Sequence, residues 1–463
     1  MFRTNAWCGE AASSKRGAGF DQWGMKKVER ATGGQSLSSK AIDPTKWQDP
    51  GVGWGIVLPD RDVPPKDKAR AADAPECIRT LLAERGKKYT AQGGATVLRY
   101  RSDLDTGLMR RYAADGTPSD PGLAGVRGVG PVAVPWYLLI IGSPEEIPWR
   151  FQYRLQLDAY VGRLDLDAAG LERYVEALLK DWSGSTADRS KPLVWSVDYG
   201  VPDISRLMRR TIGDRLAQAF LSDPDGDFDM TGGVLSDEKA THAALADALA
   251  ERHPAFVATT SHGNTFPLDD SSAMGAQLGL LVDEARMVMN LETFTKSCSL
   301  HGAIWYAHAC CSAGCEATSS FAGAATADST LGRTLAALGK LGARSAPLPK
   351  HLLGGPTPAR AFVGHVEPTF DWTLRDNRNG QTTTAHVVEA LYGRLHLAER
   401  PPIGYAMEAY HRGIGGLWRD YVDARDEQDE HVPGAEEKVK RMKLVASDRE
   451  GIVLLGDPTV RCA

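Results

Sequence analysis

The chain has 463 residues, 42% of them hydrophobic and 24% charged, with a net charge of −5. That composition supports a sizeable core and excludes a disordered, fibrous or collagen-like chain. So mild a charge implies no nucleic-acid partner and no membrane surface, and no apolar run is long enough to cross a bilayer.

Residues 1–50 are rich in Gly, Ser, Lys and Ala without periodicity, and read as a loosely packed arm. Met1–Gly19 has scattered charges and no apolar stretch, so it does not read as a secretory signal. The expected compartment is the cytoplasm. From Gly51 onward, short apolar runs alternate with helical patterns, the mark of an α/β fold with a mostly parallel sheet flanked by helices. Strands are expected at Trp54–Leu58, Trp136–Gly142, Leu193–Val197, Ala255–Thr260, Ala303–Ala309, Ala361–Val366 and Ile452–Gly456. Each is short, apolar at most positions and bounded by turn residues, as expected of strands covered on both faces. Helices are expected at Ile204–Leu221, His242–Arg252, Thr330–Leu341, Thr383–Leu397 and Ile403–Asp423. The polar, Pro-terminated stretch Trp182–Pro192 reads as a linker. It divides a smaller amino-terminal α/β subdomain, 51–185, from a larger one, 190–463.

Two motifs carry chemistry. In Phe256-Val-Ala-Thr-Thr-Ser-His262-Gly263, an apolar strand runs directly into Ser-His-Gly. In Ala303-Ile-Trp-Tyr-Ala-His-Ala-Cys310-Cys311-Ser-Ala-Gly314, a second strand ends in a thiol and a small-residue turn. Catalytic groups collect outside the carboxyl ends of parallel strands, so both motifs place reactive side chains at one sheet edge. A thiolate is the strongest side-chain nucleophile near neutral pH, and an imidazole beside it favours its formation. Cys310 is expected to attack a carbonyl, with His262 as general acid and base. The amides of Gly263 and Cys310 are expected to hold the oxyanion. No carboxylate is required if backbone contacts orient the ring. Strand alternation allows only one of Cys310 and Cys311 to face His262.

Ser-His-Gly followed by Ala-Cys-x-Ser-Ala-Gly resembles the catalytic motifs of caspase-like cysteine peptidases (clan CD): caspases, gingipains, separase and the bacterial CHAT proteins. The spacing of about fifty residues from His to Cys is that of caspases. Tyr137-Leu-Leu-Ile-Ile-Gly-Ser-Pro-Glu-Glu-Ile-Pro148, Leu157-Asp158-Ala-Tyr-Val-Gly162-Arg163 and Leu454-Leu-Gly-Asp457-Pro458 resemble further elements of gingipain-like members. The resemblance implies a caspase-like sheet with a gingipain-like amino-terminal subdomain, and cysteine endopeptidase activity without a cofactor. It selects Cys310 over Cys311, because Cys310 follows Ala and precedes x-Ser-Ala-Gly. By position it makes Asp158 the reader of an Arg or Lys at the cleaved bond, with Trp372 walling the same pocket. The caspase pentapeptide around Cys is absent, so Asp specificity is not implied.

The implied partners are a protein substrate cut at one or a few sites and an activating protease or regulator. Ala317–Gly355 and Met109–Gly130 read as ordinary surface connections, with self-cleavage of a zymogen after their basic residues as the competing reading, and the resemblance points to a bacterial antiviral defence or regulated-proteolysis pathway. Two other readings compete: a caspase-fold interaction module without turnover, and a metal-dependent hydrolase using His308, Cys310, Cys311 and Cys315. The spacing of that set lacks a C-x-x-C pair. His365 reads as a satisfied core histidine and Asp457 as turn chemistry.

Overall fold

The computed structural model describes residues 42–463 except 105, 106, 124 and 377. The arm expected at 1–50 therefore lies largely outside the described residues. Pro44–Ala463 makes up one compact unit, and the candidate site lies within it.

Ten strands form one sheet: β1 (Trp54–Pro59), β2 (Thr96–Tyr100), β3 (Tyr137–Ile141), β4 (Tyr160–Leu164), β5 (Leu193–Ser196), β6 (Val234–Ser236), β7 (Phe256–Thr260), β8 (Ile304–His308), β9 (Ala361–His365) and β10 (Ile452–Gly456). Their order is β2-β1-β3-β4-β10-β9-β8-β7-β5-β6. Among the described residues, all neighbours in this order run parallel except β9 and β10. Two parallel blocks of opposite direction thus meet at that junction. The expected α/β fold with a mostly parallel sheet flanked by helices is what forms. Strands from 51–185 and from 190–463 lie in this one sheet, with the last strand, β10, inserted between the two groups.

Both faces of the sheet are covered, and the sequence shows why. In β3, Tyr137, Leu139 and Ile141 enter one apolar cluster while Leu138 and Ile140 enter another. Period-two alternation between two apolar layers requires a continuous hydrophobic run, which is how the strand reads. Helices that position the site are α1 (Glu76–Gly86), α2 (Trp149–Gln156), α3 (Ala168–Leu179), α4, α5 (His242–Arg252), α6 (Thr330–Leu341), α7 (Ile403–Asp429) and α8 (Ala435–Glu450). Here α4 denotes the run Ile204–Met208, a π turn at Arg209–Gly213, and Asp214–Leu221. Side-chain caps start several of them: Asp167 for α3, Asp203 for α4, Thr241 for α5 and Ser329 for α6.

Two of the family-like motifs turn out to be structural partners of one another. Gly162 of Val-Gly-Arg packs so closely on Gly456 of Leu-Gly-Asp-Pro that a Cβ at 162 would stand 2.1 Å from the Gly456 carbonyl oxygen. Only glycine permits β4 and β10 to approach in this way. Arg163 is fully buried over the Trp149 ring, donating to Gln152 and to the Gly142 carbonyl. Asp457 does more than close a turn. It accepts from Thr459 N at 2.9 Å, from Trp54 Nε1 at 3.1 Å and from Arg85 at 3.0 Å. Trp182, at the head of the expected linker, is buried and donates to the Pro358 carbonyl at 2.8 Å.

Candidate active site

His262 and Cys310 leave the carboxyl ends of adjacent parallel strands, β7 and β8, where His308 is in register with Thr260. A second contact locks the two loops together beyond the strands. A Cβ on Gly263 would lie 1.9 Å from the Cys310 carbonyl oxygen and 3.0 Å from its nitrogen. Glycine is therefore required at 263 by main-chain proximity, and that proximity brings the two motifs to one point on the sheet edge.

The His262 loop has its own brace. Val282 N donates to the His262 carbonyl at 3.0 Å and Asn264 N to the Leu280 carbonyl at 2.8 Å. Gly263 sits opposite Leu281 between these bonds, in the non-hydrogen-bonded position of an antiparallel bridge. Its N–H consequently points away from the Leu281 segment. The Cys310 loop is tied to β9: Cys311 N donates to the Glu367 carbonyl at 2.8 Å, Ala313 N to the His365 carbonyl at 2.8 Å, and His365 N to Ser312 Oγ at 3.0 Å. Cys311 and Glu367, joined in this way, both adopt left-handed backbone, with φ of 54° and 70°. For residues with a Cβ such conformations cost of order 1 kcal/mol or more and concentrate at functional sites.

The imidazole is held on two sides. His262 Nε2 donates to the Asp203 carboxylate, at 3.0 Å from one oxygen and 3.1 Å from the other. A carboxylate can only accept, so Nε2 carries a proton, and Nδ1 takes no part in this bond. Tyr199 stacks on the ring with centroids 5.7 Å apart and planes inclined by 12°. The Tyr199 hydroxyl donates to the Asp283 carbonyl, and the Arg286 guanidinium covers its other face at 4.1 Å. Asp203 also caps α4, accepting from Ser205 N at 2.8 Å. Burial pushes its carboxyl up, but the bonds from Ser205 and His262 outweigh this and hold it below the usual value.

Sequence reasoning missed Asp203. The available signal was its position, an acid just before the expected helix Ile204–Leu221. What the sequence concealed was strand order: β5 lies beside β7, so the α4 cap meets the His262 ring.

Cys310 Sγ is half-buried and bonded to the main chain of Thr369. The Thr369 amide donates to it at 3.4 Å, and the thiol lies 3.6 Å from the Thr369 carbonyl. Burial pushes the thiol up and the Thr369 amide pulls it part of the way back. Cys311 points the other way. It is fully buried in a cluster with Met274, Leu278, Cys315 and Leu338. His308 and His365 are buried together, His365 Nε2 lying 3.1 Å from His308 Nδ1, which also meets the Tyr306 hydroxyl at 2.9 Å. The six described cysteines are free thiols, and among the described residues no group of three or more His, Cys, Asp or Glu is arranged to hold a metal ion.

The two expected substrate readers separate. Asp158 is exposed on the turn before β4, its carbonyl accepting from Arg127. It shares the sheet edge of His262 and Cys310, but three inter-strand spacings, roughly 14 Å, lie between β4 and β8. Trp372 lies three residues beyond Thr369, its ring packed on Phe370 with centroids 4.9 Å apart and planes inclined by 40°. It walls a 510 Å³ cleft shared with Leu417, Met442 and Arg449. Two carboxyls beside the Cys310 loop are Glu367, which is 3% exposed, and Glu316. Burial raises both, Glu316 to about 7 with Glu367 as a second cause.

The fold is therefore a mixed α/β structure built on a large, mostly parallel ten-stranded sheet flanked by helices. No family model matches the chain, and no curated protein does. Among solved structures, the complex of the pro- and mature domains of Porphyromonas gingivalis RgpB is similar at 11% identity with a TM-score of 0.39. The alignment covers 88% of this chain and 79% of that one. No described helix is long and apolar enough to cross a membrane.

Proposed function

We propose that the chain is a cysteine endopeptidase in which Cys310 is the nucleophile, His262 the general acid and base, and Asp203 the group that orients the imidazole. The observation that supports this reading is the main-chain contact of Gly263 with Cys310, which brings the loops bearing His262 and Cys310 together. His262 Nδ1 takes the thiol proton as Cys310 Sγ adds to the scissile carbonyl. The Gly263 and Cys310 amides stabilise the oxyanion. The imidazolium, paired with Asp203, then protonates the leaving amine as the C–N bond breaks, giving a thioester and the first product. Water adds to the thioester, giving its proton to Nδ1. Collapse releases the acid and returns the proton to the thiol. Burial pushes the Cys310 thiol up, so attack draws on this base.

The reading extends to Arg or Lys at the cleaved position. Glu367 and Glu316 support it as desolvated carboxyls beside the nucleophile loop, groups whose charge a bound cation would stabilise. Trp372 fits the role of an aromatic wall one turn further on. A protein substrate cut at few sites, an activating partner and a defence pathway remain parts of this proposal that follow from the motif resemblance.

The test is a fluorogenic peptide panel bearing Arg, Lys or Asp at the cleaved position. Turnover of the Arg or Lys peptides that is lost in both Cys310→Ala and His262→Ala is the expected result. Turnover that survives in Cys310→Ala, or that a chelator abolishes, contradicts it. Glu367→Gln should lower kcat/KM for the Arg peptide while leaving alkylation of Cys310 unchanged.

A further inference from the structure

Asp448 sits in the last turn of α8 and is 2% exposed. A carboxylate withdrawn from water costs several kcal/mol unless its oxygens find donors. Here all its partners come from one short turn. Oδ1 accepts from Thr369 Oγ1 at 3.0 Å and from Phe370 N at 2.9 Å, and Oδ2 from Thr373 N at 3.0 Å. One carboxylate thus pins both ends of the segment 369–373 to α8. That same segment supplies the main chain that touches Cys310 Sγ. From the other side, Phe370 packs edge-on to Phe321, at 4.7 Å.

We infer that Asp448 is a positioning residue for Cys310, acting through the Thr369 amide. The inference rests on the reading of Cys310 as nucleophile. Two effects compete at the sulfur. The Thr369 N–H, in contact at 3.4 Å, favours the thiolate. The charge of Asp448 disfavours it, but acts without a hydrogen bond to the sulfur and is partly offset by the Arg449 guanidinium, with Tyr410 of α7 as a further titratable neighbour of Asp448. The contacting amide is the larger effect, so freeing the turn weakens thiolate formation. The hairpin of α7 and α8 is thereby linked to the reactive sulfur through a single buried side chain, with Tyr410 of α7 donating to the Arg449 carbonyl at 2.8 Å.

The experiment follows the pH dependence of Cys310 alkylation by iodoacetamide on the full chain, read by intact mass and peptide mapping. Asp448→Ala should move the profile to higher pH by about one unit, slowing alkylation near neutral pH about tenfold. In peptide hydrolysis it should lower kcat with KM within about twofold of wild type. Asp448→Asn keeps an oxygen facing Thr369 and Phe370 and should remain within about threefold of wild type in alkylation. Thr369→Val, which removes only the hydroxyl anchor, should fall between. A folded Asp448→Ala protein with the wild-type profile overturns the inference, as does an Asn variant as slow as Ala. If the Ala variant is insoluble, an unshifted profile in Thr369→Val overturns it instead. Alkylation requires no turnover, so these outcomes are separate from failure of the peptidase reading, which shows as hydrolysis surviving in Cys310→Ala.

Discussion

Asp203 binds two partners at once: it accepts from Nε2 of His262 at 3.0 Å and from the Ser205 amide at 2.8 Å. These roles can be separated. Asp203→Asn retains a good helix cap but no longer stabilises the imidazolium, whereas Asp203→Ala loses both. Both variants should lose about 10²-fold or more in kcat. Only the Ala variant should also lose about 1 kcal/mol of stability, measured by urea unfolding. Full activity in Asp203→Asn would remove the acid from the mechanism.

Gly263→Ala should abolish hydrolysis. The added methyl would have to displace the Cys310 carbonyl, which stands 1.9 Å from its position. Its effect should appear in kcat, because the two loops must part and with them the sulfur and imidazole. A near-normal kcat in Gly263→Ala would mean that the close approach is unnecessary for chemistry.

Arg85 and Asp457 form an ion pair that is 8% and 0% exposed, tying α1 to the end of β10. Removing one partner leaves the other charge buried. Asp457→Ala should therefore cost about 3–5 kcal/mol in unfolding free energy. A loss below about 1 kcal/mol would place the pair among ordinary surface contacts.

Stability against pH combines two opposed sets of groups. Burial lowers His308 and His396 to about 3, His411 to about 4, and His365 well below its usual value. Below about pH 6.5 the unfolded chain charges these imidazoles while the native one does not, so they destabilise as pH falls toward their native values. Burial raises Glu316, Asp448 and Glu450 to about 7. Between about pH 7 and 4.4 the native state holds these protons and the unfolded state does not, which stabilises as pH falls. The expected curve changes little between pH 7 and about 4.5. It then drops steeply, because the histidines still charge only in the unfolded chain and the carboxyls that the fold holds below their usual values, Asp60, Asp73 and Asp203 among them, protonate first in the unfolded chain. Urea midpoints measured across that range check it. A steep decline starting near pH 6.5 would contradict the raised acids.

Much of this architecture is legible because buried parallel strands leave an unmistakable pattern. Ile452–Gly456 forms at the expected limits, and the His242–Arg252 and Thr330–Leu341 helices do as well. Strand β2, Thr-Val-Leu-Arg-Tyr, escapes a sequence reading because it carries Arg99, whose charge is met out of sight by Asp73 at 2.7 Å. Strand β4 shows only as a motif, since glycine and arginine fill its centre. Helix α8 is hidden because its exposed face is densely charged and its apolar face narrow, so little periodicity shows. At the site, His262 and Cys310 stand out through their own motifs. Asp203 and Thr369 do not: one acts from a neighbouring strand's helix cap and the other through its main chain, which no side-chain pattern records.

The most direct measurement is hydrolysis of an Arg-containing fluorogenic peptide by Cys310→Ala and Cys311→Ala made in parallel. Cys310 has the Thr369 amide at 3.4 Å and lies beside Gly263, whereas Cys311 is sealed in an apolar cluster. Turnover should vanish in the first variant and persist in the second. Persistence in Cys310→Ala, with loss in Cys311→Ala or in neither, would contradict the assignment.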